Sequence, residues 1–510
     1  MNESAGWYQR DPLPPAAPAK DAVPVPGESE LHRTLRENCP VFLLLSSAVG
    51  GAFAACFVKA GGWGINFFLY ALAWTVCAHL SLRRLGLARW RRDAVWYAGI
   101  LLLSLSVFWT ANEFIQCVSI AGCVLLQCFW ALNALVPLRE WHFSKASGAV
   151  LRLALRTLGR CFEPFTHLID RRRAGARRGG TRYVLLGLLI AAPLAAVVLS
   201  LLTSADAVFR SLFARLYSGW DLQDLGTVFQ ALGAFLLAGV LFYAGLCAQT
   251  DRPESEAQTE PRRANTLVAV TFTAVLAVIY LCFCAVQAAV MFRGSSASLP
   301  EGYTYAEYAR EGFFQLLMVS AINVVLVIVS QRRFVSSRGL RGLLCVISGC
   351  TCLLELSSAW RMILYVRFYG LTFLRVLVLW FLAVLAVILA GAVITVFRPS
   401  FRLFRFSLAV CLAGWLILAF ARPDALAARY DLRRFGCSDT ALSLIRYELS
   451  DDALSQLRPY LAGDRESIDR YMDGYLDQGI PQWYKDAGLR GFNYSLWQAN
   501  ETAKEYAHGK

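Results

Sequence analysis

The sequence predicts an all-α fold: a polytopic transmembrane helix bundle of about 11 spans with a small extracytoplasmic helical C-terminal region. Three observations carry that expectation. Of 510 residues, 57% are hydrophobic and only 17% charged, against about 45–50% and about 25% in soluble globular chains. Apolar runs of roughly 20 residues recur along the chain, the length at which a helix crosses a hydrocarbon core of about 30 Å. The basic residues gather in alternate connections between those runs. Inside a bilayer the backbone has no water to bond, so each run must satisfy its own N–H and C=O groups as a helix.

The chain opens with MNESAGWYQRDPLPPAAPAKDAVPVPGESE, and residues 1–40 read as a disordered cytoplasmic segment too polar and Pro-rich to fold. No basic stretch followed by an apolar core precedes the first span, which is therefore expected to stay as an anchor. Spans are predicted at 41–58, 63–82, 94–111, 114–135, 183–203, 225–248, 266–290, 312–330, 342–361, 371–397 and 403–420, so that 41–421 forms the bundle. Residues 422–510 follow as the helical tail. Within it RYELSDDALSQLRPYLAG (446–463) and DRESIDRYMDGYLDQGI (464–480) set apolar residues at helical spacing, and an aromatic stretch after them predicts another helix.

The formal charge of +14 is sorted by side. The first 40 residues and the connections 83–93, 136–182, 250–264, 331–341 and 398–405 hold 30 of the 50 Lys and Arg; the intervening connections hold 8 and the tail 12. Positive residues collect on the cytoplasmic side, so the N-terminus is expected inside and the C-terminus outside. The excess is topological: no zinc-finger spacing, aromatic RNA-binding pattern or DNA-reading helix accompanies it, and nucleic acid is not an expected partner. One inner connection, 136–182, carries more. GAVLRLALRTLGRCFEPFTHLI (148–169) sets Arg152, Arg156 and Arg160 about a turn apart among leucines, and Arg171, Arg172, Arg173, Arg177 and Arg178 follow. Such a segment is expected to lie on anionic lipids of the inner leaflet, or else to dock on the inner ends of the bundle.

The 15 cysteines fall mostly inside spans, where a thiol acts as a small apolar side chain. The five histidines are scattered without HExxH or a Cys/His zinc pattern. There is no phosphate loop, no GxSxG elbow and no GxGxxG fingerprint. No catalytic residue, metal or cofactor is expected from these patterns.

Polar residues gather instead at the outer ends of the spans. YAEYAREGFFQL (305–316) places Glu307, Arg310 and Glu311 on one side of an interfacial helix, with tyrosines at headgroup level. TSADAVFRSLF (203–213) adds Asp206, and SSAWRMILYVRFYGLTFLR (357–375) adds Arg361, Arg367 and Arg375 around a Tyr-Gly turn. Glu355, read as about six residues below the outer end of its span, is an ionisable group inside the membrane and a candidate site by default. Its expected partner is Arg375. Together these eight residues form a candidate outer-face polar cluster.

YAREGFFQL, RMILYVRFYGLTFLR, SADAVF and PDALAARYDL together resemble the bacterial multi-pass membrane families catalogued as domains of unknown function 4153 and 4173, over roughly residues 40–435. The resemblance implies a bacterial cell membrane and carries no catalytic residues with it. Three functions stay open: a transporter using the polar layer, an envelope sensor or assembly partner meeting a protein through the outer tail, and a membrane-embedded transferase using Asp206, Glu307 and Glu311.

Overall fold

A computed structural model of the chain describes residues 29–88, 90–136, 141–175, 206, 222–250, 265–292, 313–335, 337–398, 400–461, 465–478, 484 and 488–509. Ten of the predicted spans are helices within them. The first group comprises α1 (Glu30–Glu37), α2 (Cys39–Phe57), α3 (Ile65–Arg84), α4 (Trp90–Trp109), α5 (Glu113–Leu135), α6 (Phe143–Gly159), α7 (Glu163–Gly175) and α8 (Leu222–Thr250). The second comprises α9 (Thr266–Phe292), α10 (Phe313–Arg333), α11 (Arg338–Tyr369), α12 (Phe373–Phe397) and α13 (Leu403–Ala421). Eight of these helices are long and apolar enough to cross a membrane. The span predicted at 183–203 lies outside the described residues.

Two faces follow from the chain direction. Connections 83–92, 333–338 and 398–402 lie at a basic face, together with α1, α6 and α7. Connections 58–64, 110–112 and 370–372 lie at the other, against the C-terminal domain. The segment 1–40, expected to be disordered, is helical over Glu30–Glu37. Ser29 caps that helix by accepting the His32 N–H at 3.1 Å, and Leu35 is fully buried in the core shared with α2 and α8. The basic helix expected across 148–169 is two helices, broken by a turn at 160–162. Leu153 of α6 is buried, while Leu151, Leu155, Leu158 and Phe162 stay exposed. Arg171, Arg172 and Arg173 lie on α7; Arg177 and Arg178 lie outside the described residues.

The tightest pair is α2 with α8. They run antiparallel, and both present small residues where they cross: Ser46 and Gly50 on one side, Ala238 and Gly239 on the other. Small side chains let backbones approach, which is how helices gain contact where lipid removes the hydrophobic drive. The second group packs α11 between α9, α10 and α12, and α13 joins the groups by packing on both α12 and α4.

The tail is a helical domain: α14 (Pro423–Phe435), α15 (Asp439–Glu448), a 3-10 helix (Asp451–Tyr460), α16 (Arg465–Gln478), a short 3-10 turn (Gly488–Gly491) and α17 (Tyr494–Gly509). Leu432, Ile445, Leu454, Leu457 and Met472 form its own core. The single helix expected over 446–463 is divided, because the Ser450 N–H turns to the Asp424 carboxylate (3.2 Å) instead of extending α15.

The α2–α8 contact gives a test. A Cβ on Gly50 would overlap the backbone carbonyl of Phe235, whereas one on Gly51 would meet nothing within 4 Å. Gly50→Ala should therefore destabilise the detergent-solubilised protein by about 1–3 kcal/mol, the usual cost of overpacking, and Gly51→Ala should not. Equal melting curves for the two variants would refute this contact.

Candidate functional site

At the domain-bearing face, loops of the bundle end in bare backbone groups, and the tail supplies carboxylates to receive them. Asp452 accepts from Thr110 Oγ1 (2.5 Å) and the Ala111 N–H (2.7 Å), with the Arg422 guanidinium at 3.9 Å. Asp424 accepts from Asn112 Nδ2 (2.8 Å) and from the Ser450 hydroxyl (2.5 Å). Asp431 accepts the Leu371 N–H (2.7 Å) just after Gly370, whose φ of +78° ends α11. All three aspartates are fully buried. Asn493 adds a bond to the Thr110 carbonyl (2.9 Å), and Tyr494 stacks on Trp109 at 4.4 Å. Each bond closes a connection that would otherwise leave a buried donor or acceptor unmet. This layer is a clamp.

Glu355 lies elsewhere. It is buried, 5% exposed, near the middle of α11, and neither carboxylate oxygen has a hydrogen-bond partner among the described residues. Ser348, Thr351, Glu355 and Ser358 recur at intervals of three and four and form one buried stripe. α10 answers with a stripe of buried Ser320, Asn323 and Ser330. Asn323 Nδ2 bonds Thr351 Oγ1 across the seam (3.0 Å), while Asn323 Oδ1 has no partner. Ser348, Thr351 and Ser358 return their protons to their own helix, as Ser320 does to the Leu316 carbonyl (2.9 Å). The seam thus holds three buried acceptor oxygens without a donor, two on Glu355 and one on Asn323.

The expected pair between Glu355 and Arg375 does not form. α11 continues to Tyr369 rather than ending at 361, which puts Glu355 about 21 Å from the helix end at 1.5 Å per residue. Arg375 is the third residue of α12, at the level of that end. Its guanidinium bonds the carbonyls of Tyr369 (2.8 Å) and Gly370 and lies 4.3 Å over the Tyr365 ring. Arg367 is exposed, and its carbonyl receives Arg434 Nε at 3.1 Å. Arg361 is partly buried one turn and a half beyond Glu355, and Asp206 is exposed. Glu307, Arg310 and Glu311 lie outside the described residues. Glu355 is therefore set well apart from Arg367 and Arg375 along the bundle. The face is organised instead by Asp424, Asp431 and Asp452. Asp424 and Asp431 are seven residues apart in PDALAARYDL, a spacing that puts both on one side of α14 and could have flagged them.

Burial pushes Asp424 and Asp431 up from the ordinary carboxylate range. Asp431 reaches about 6, although the Leu371 N–H and the Arg375 guanidinium pull the other way. Unfolded, an aspartate titrates near 3.9. The folded state thus keeps a proton that the unfolded chain has released. The stabilisation this gives is full below about pH 4 and is lost as pH rises through about 6. Relative to Asp431→Asn, which keeps an oxygen for Leu371, the wild type should lose on the order of 2 kcal/mol between pH 4 and 7. Melting curves across that range check it, and parallel curves would refute it.

No curated protein and no solved structure matches the chain. A family match covers residues 97–460, a stretch that contains Glu355 and all three clamp aspartates. The chain belongs to the family described as Domain of unknown function (DUF4153).

Proposed function

We propose that the protein is a membrane carrier whose cycle is coupled to protonation of Glu355. One observation carries the reading: a carboxylate buried midway along a membrane-crossing helix with neither oxygen bonded to a described residue. An ionised acid at the centre of a spanning helix costs about 2.5–3.5 kcal/mol by insertion scales. With no arginine or lysine among the described residues bonded to it, the group is relieved by a proton or by a cation. A purely structural glutamate would have its partner in place. The polar stripes of α10 and α11 offer such a species a path lined with hydroxyls and the Asn323 amide.

Dicyclohexylcarbodiimide tests this, because it enters apolar sites and reacts only with the protonated acid. Glu355 should be modified in membranes, less so as pH is raised, and Glu355→Gln should abolish the adduct seen by mass spectrometry. An unmodified Glu355 at every pH would refute the reading.

A second reading, an envelope sensor or assembly partner, is favoured by the tail, which has its own core and yet commits three aspartates to the bundle's connections. Both readings share one orientation in a bacterial cell membrane: the basic face cytoplasmic, the C-terminal domain outside. The exposed Leu151, Leu155, Leu158 and Phe162, with Arg171, Arg172, Arg173, Arg177 and Arg178 beyond them, then meet anionic lipids of the inner leaflet. Alkaline phosphatase fused after Ala421 should be active in a bacterial host, and fused after Gly175 inactive. The reverse pattern would overturn the orientation.

A further inference from the structure

At the basic face, two helices far apart in sequence bring two imidazoles and a carboxylate together. His32 comes from α1; Glu163 and His167 come from α7, four residues apart and so on one side of it. One coordinating atom from each lies within 4.8 Å of the other two. The two rings meet edge to face with centroids 5.5 Å apart, and His167 is buried.

The surroundings orient each group. The Thr250 hydroxyl, at the end of α8, gives its proton to the Cys247 carbonyl (2.8 Å). Toward His32 Nδ1, at 3.1 Å, it can then only accept. His32 therefore carries its proton on Nδ1 and keeps the lone pair on Nε2. His167 Nδ1 is also held, 2.9 Å from the Tyr243 hydroxyl about two turns earlier on α8. Imidazoles that bind metals are typically fixed by such a bond from the other ring nitrogen. Glu163 ties one oxygen to Arg160, and its other oxygen is buried with no hydrogen-bond partner among the described residues.

We propose that His32, Glu163 and His167 bind a divalent transition metal of the zinc class. Two neutral imidazoles and one carboxylate are the ligands such an ion takes, with a position left for water. Calcium and magnesium call for shells of oxygen alone. Metal–ligand bonds of about 2.0–2.1 Å put tetrahedral ligands about 3.3 Å apart, so atoms now within 4.8 Å of one another need draw together only slightly to hold an ion. The bound ion would fasten α1 to α7 and α8. It is independent of Glu355, which lies in the other helical group.

The test uses full-length, tag-free protein in detergent, stripped with a chelator and titrated with Co2+ and then Zn2+. One Co2+ per chain should bind with a visible ligand-field spectrum that Zn2+ bleaches. Glu163→Gln and His167→Ala should each weaken Co2+ binding at least tenfold. His32→Gln, on the peripheral α1, should do the same without threatening the bundle, whereas His142→Gln should change nothing. Absence of stoichiometric binding by the wild type, or unchanged binding by Glu163→Gln and His32→Gln, would overturn the assignment. So would an intense near-ultraviolet thiolate band, which would hand the metal to the nearby cysteines.

Discussion

A polar group that leaves water has to find its partner inside the protein, and most of this bundle is arranged around that constraint. Small hydroxyls settle it locally. Ser46, Thr75, Ser81, Ser348 and Ser358 each return a proton to the carbonyl one turn earlier, at 2.7–2.9 Å. Larger groups settle it between helices. Trp415 Nε1 on α13 bonds Ser119 Oγ on α5, which also receives Ser106 of α4, each at 2.9 Å. That joint ties three helices and carries α13 from the second group onto the first. Where the helices end, the same constraint recruits the C-terminal domain, whose aspartates receive N–H and hydroxyl groups that the connections cannot satisfy among themselves.

The clamp explains why the domain belongs to the bundle rather than hanging from it. Hydrogen bonds to charged groups contribute about 1.5–3 kcal/mol each, and three buried aspartates accept from three separate stretches of chain. Asp431 sits where this matters most. Gly370 leaves the helical region to end α11, and the next N–H is received by a carboxylate 60 residues later. The end of the longest helix is thus set jointly by a glycine and by the tail.

That dependence marks the limit of what the sequence discloses. Composition and run length were enough for the helices, since the bilayer admits no other solution for apolar runs of that length. The alternation of arginines identified which connections share a face, and the basic connections lie together. Glu355 stood out because a lone acid in an apolar run has few bland explanations. Its neighbours did not, because the end of α11 was read from Arg361, while the backbone continues until Gly370 and Asp431 stop it. Asp424 and Asp452 are hydrogen-bonded to Asn112 and Thr110, more than 300 residues away in sequence, and no local pattern encodes that distance. His32 and Glu163 are likewise joined only by the packing of α1 and α7 on α8, although the Glu163–His167 spacing was visible as one side of a helix.

The two helical groups also meet the membrane constraint in different ways. Between α2 and α8, glycines bring backbones together, with a Cβ at Gly239 reaching within 3.0 Å of the Ser46 carbonyl. Contact of that kind leaves nothing unsatisfied and little room for a second arrangement. Between α10 and α11 the seam is polar, joined by Asn323 and Thr351, and three acceptor oxygens have no donor among the described residues. Under the proposed reading, a proton or cation reaching this seam would supply what those oxygens lack. The clamp reaches both groups, the first through Asp424 and Asp452 at the 110–112 connection and the second through Asp431 at the end of α11. Glu355 stands in the second.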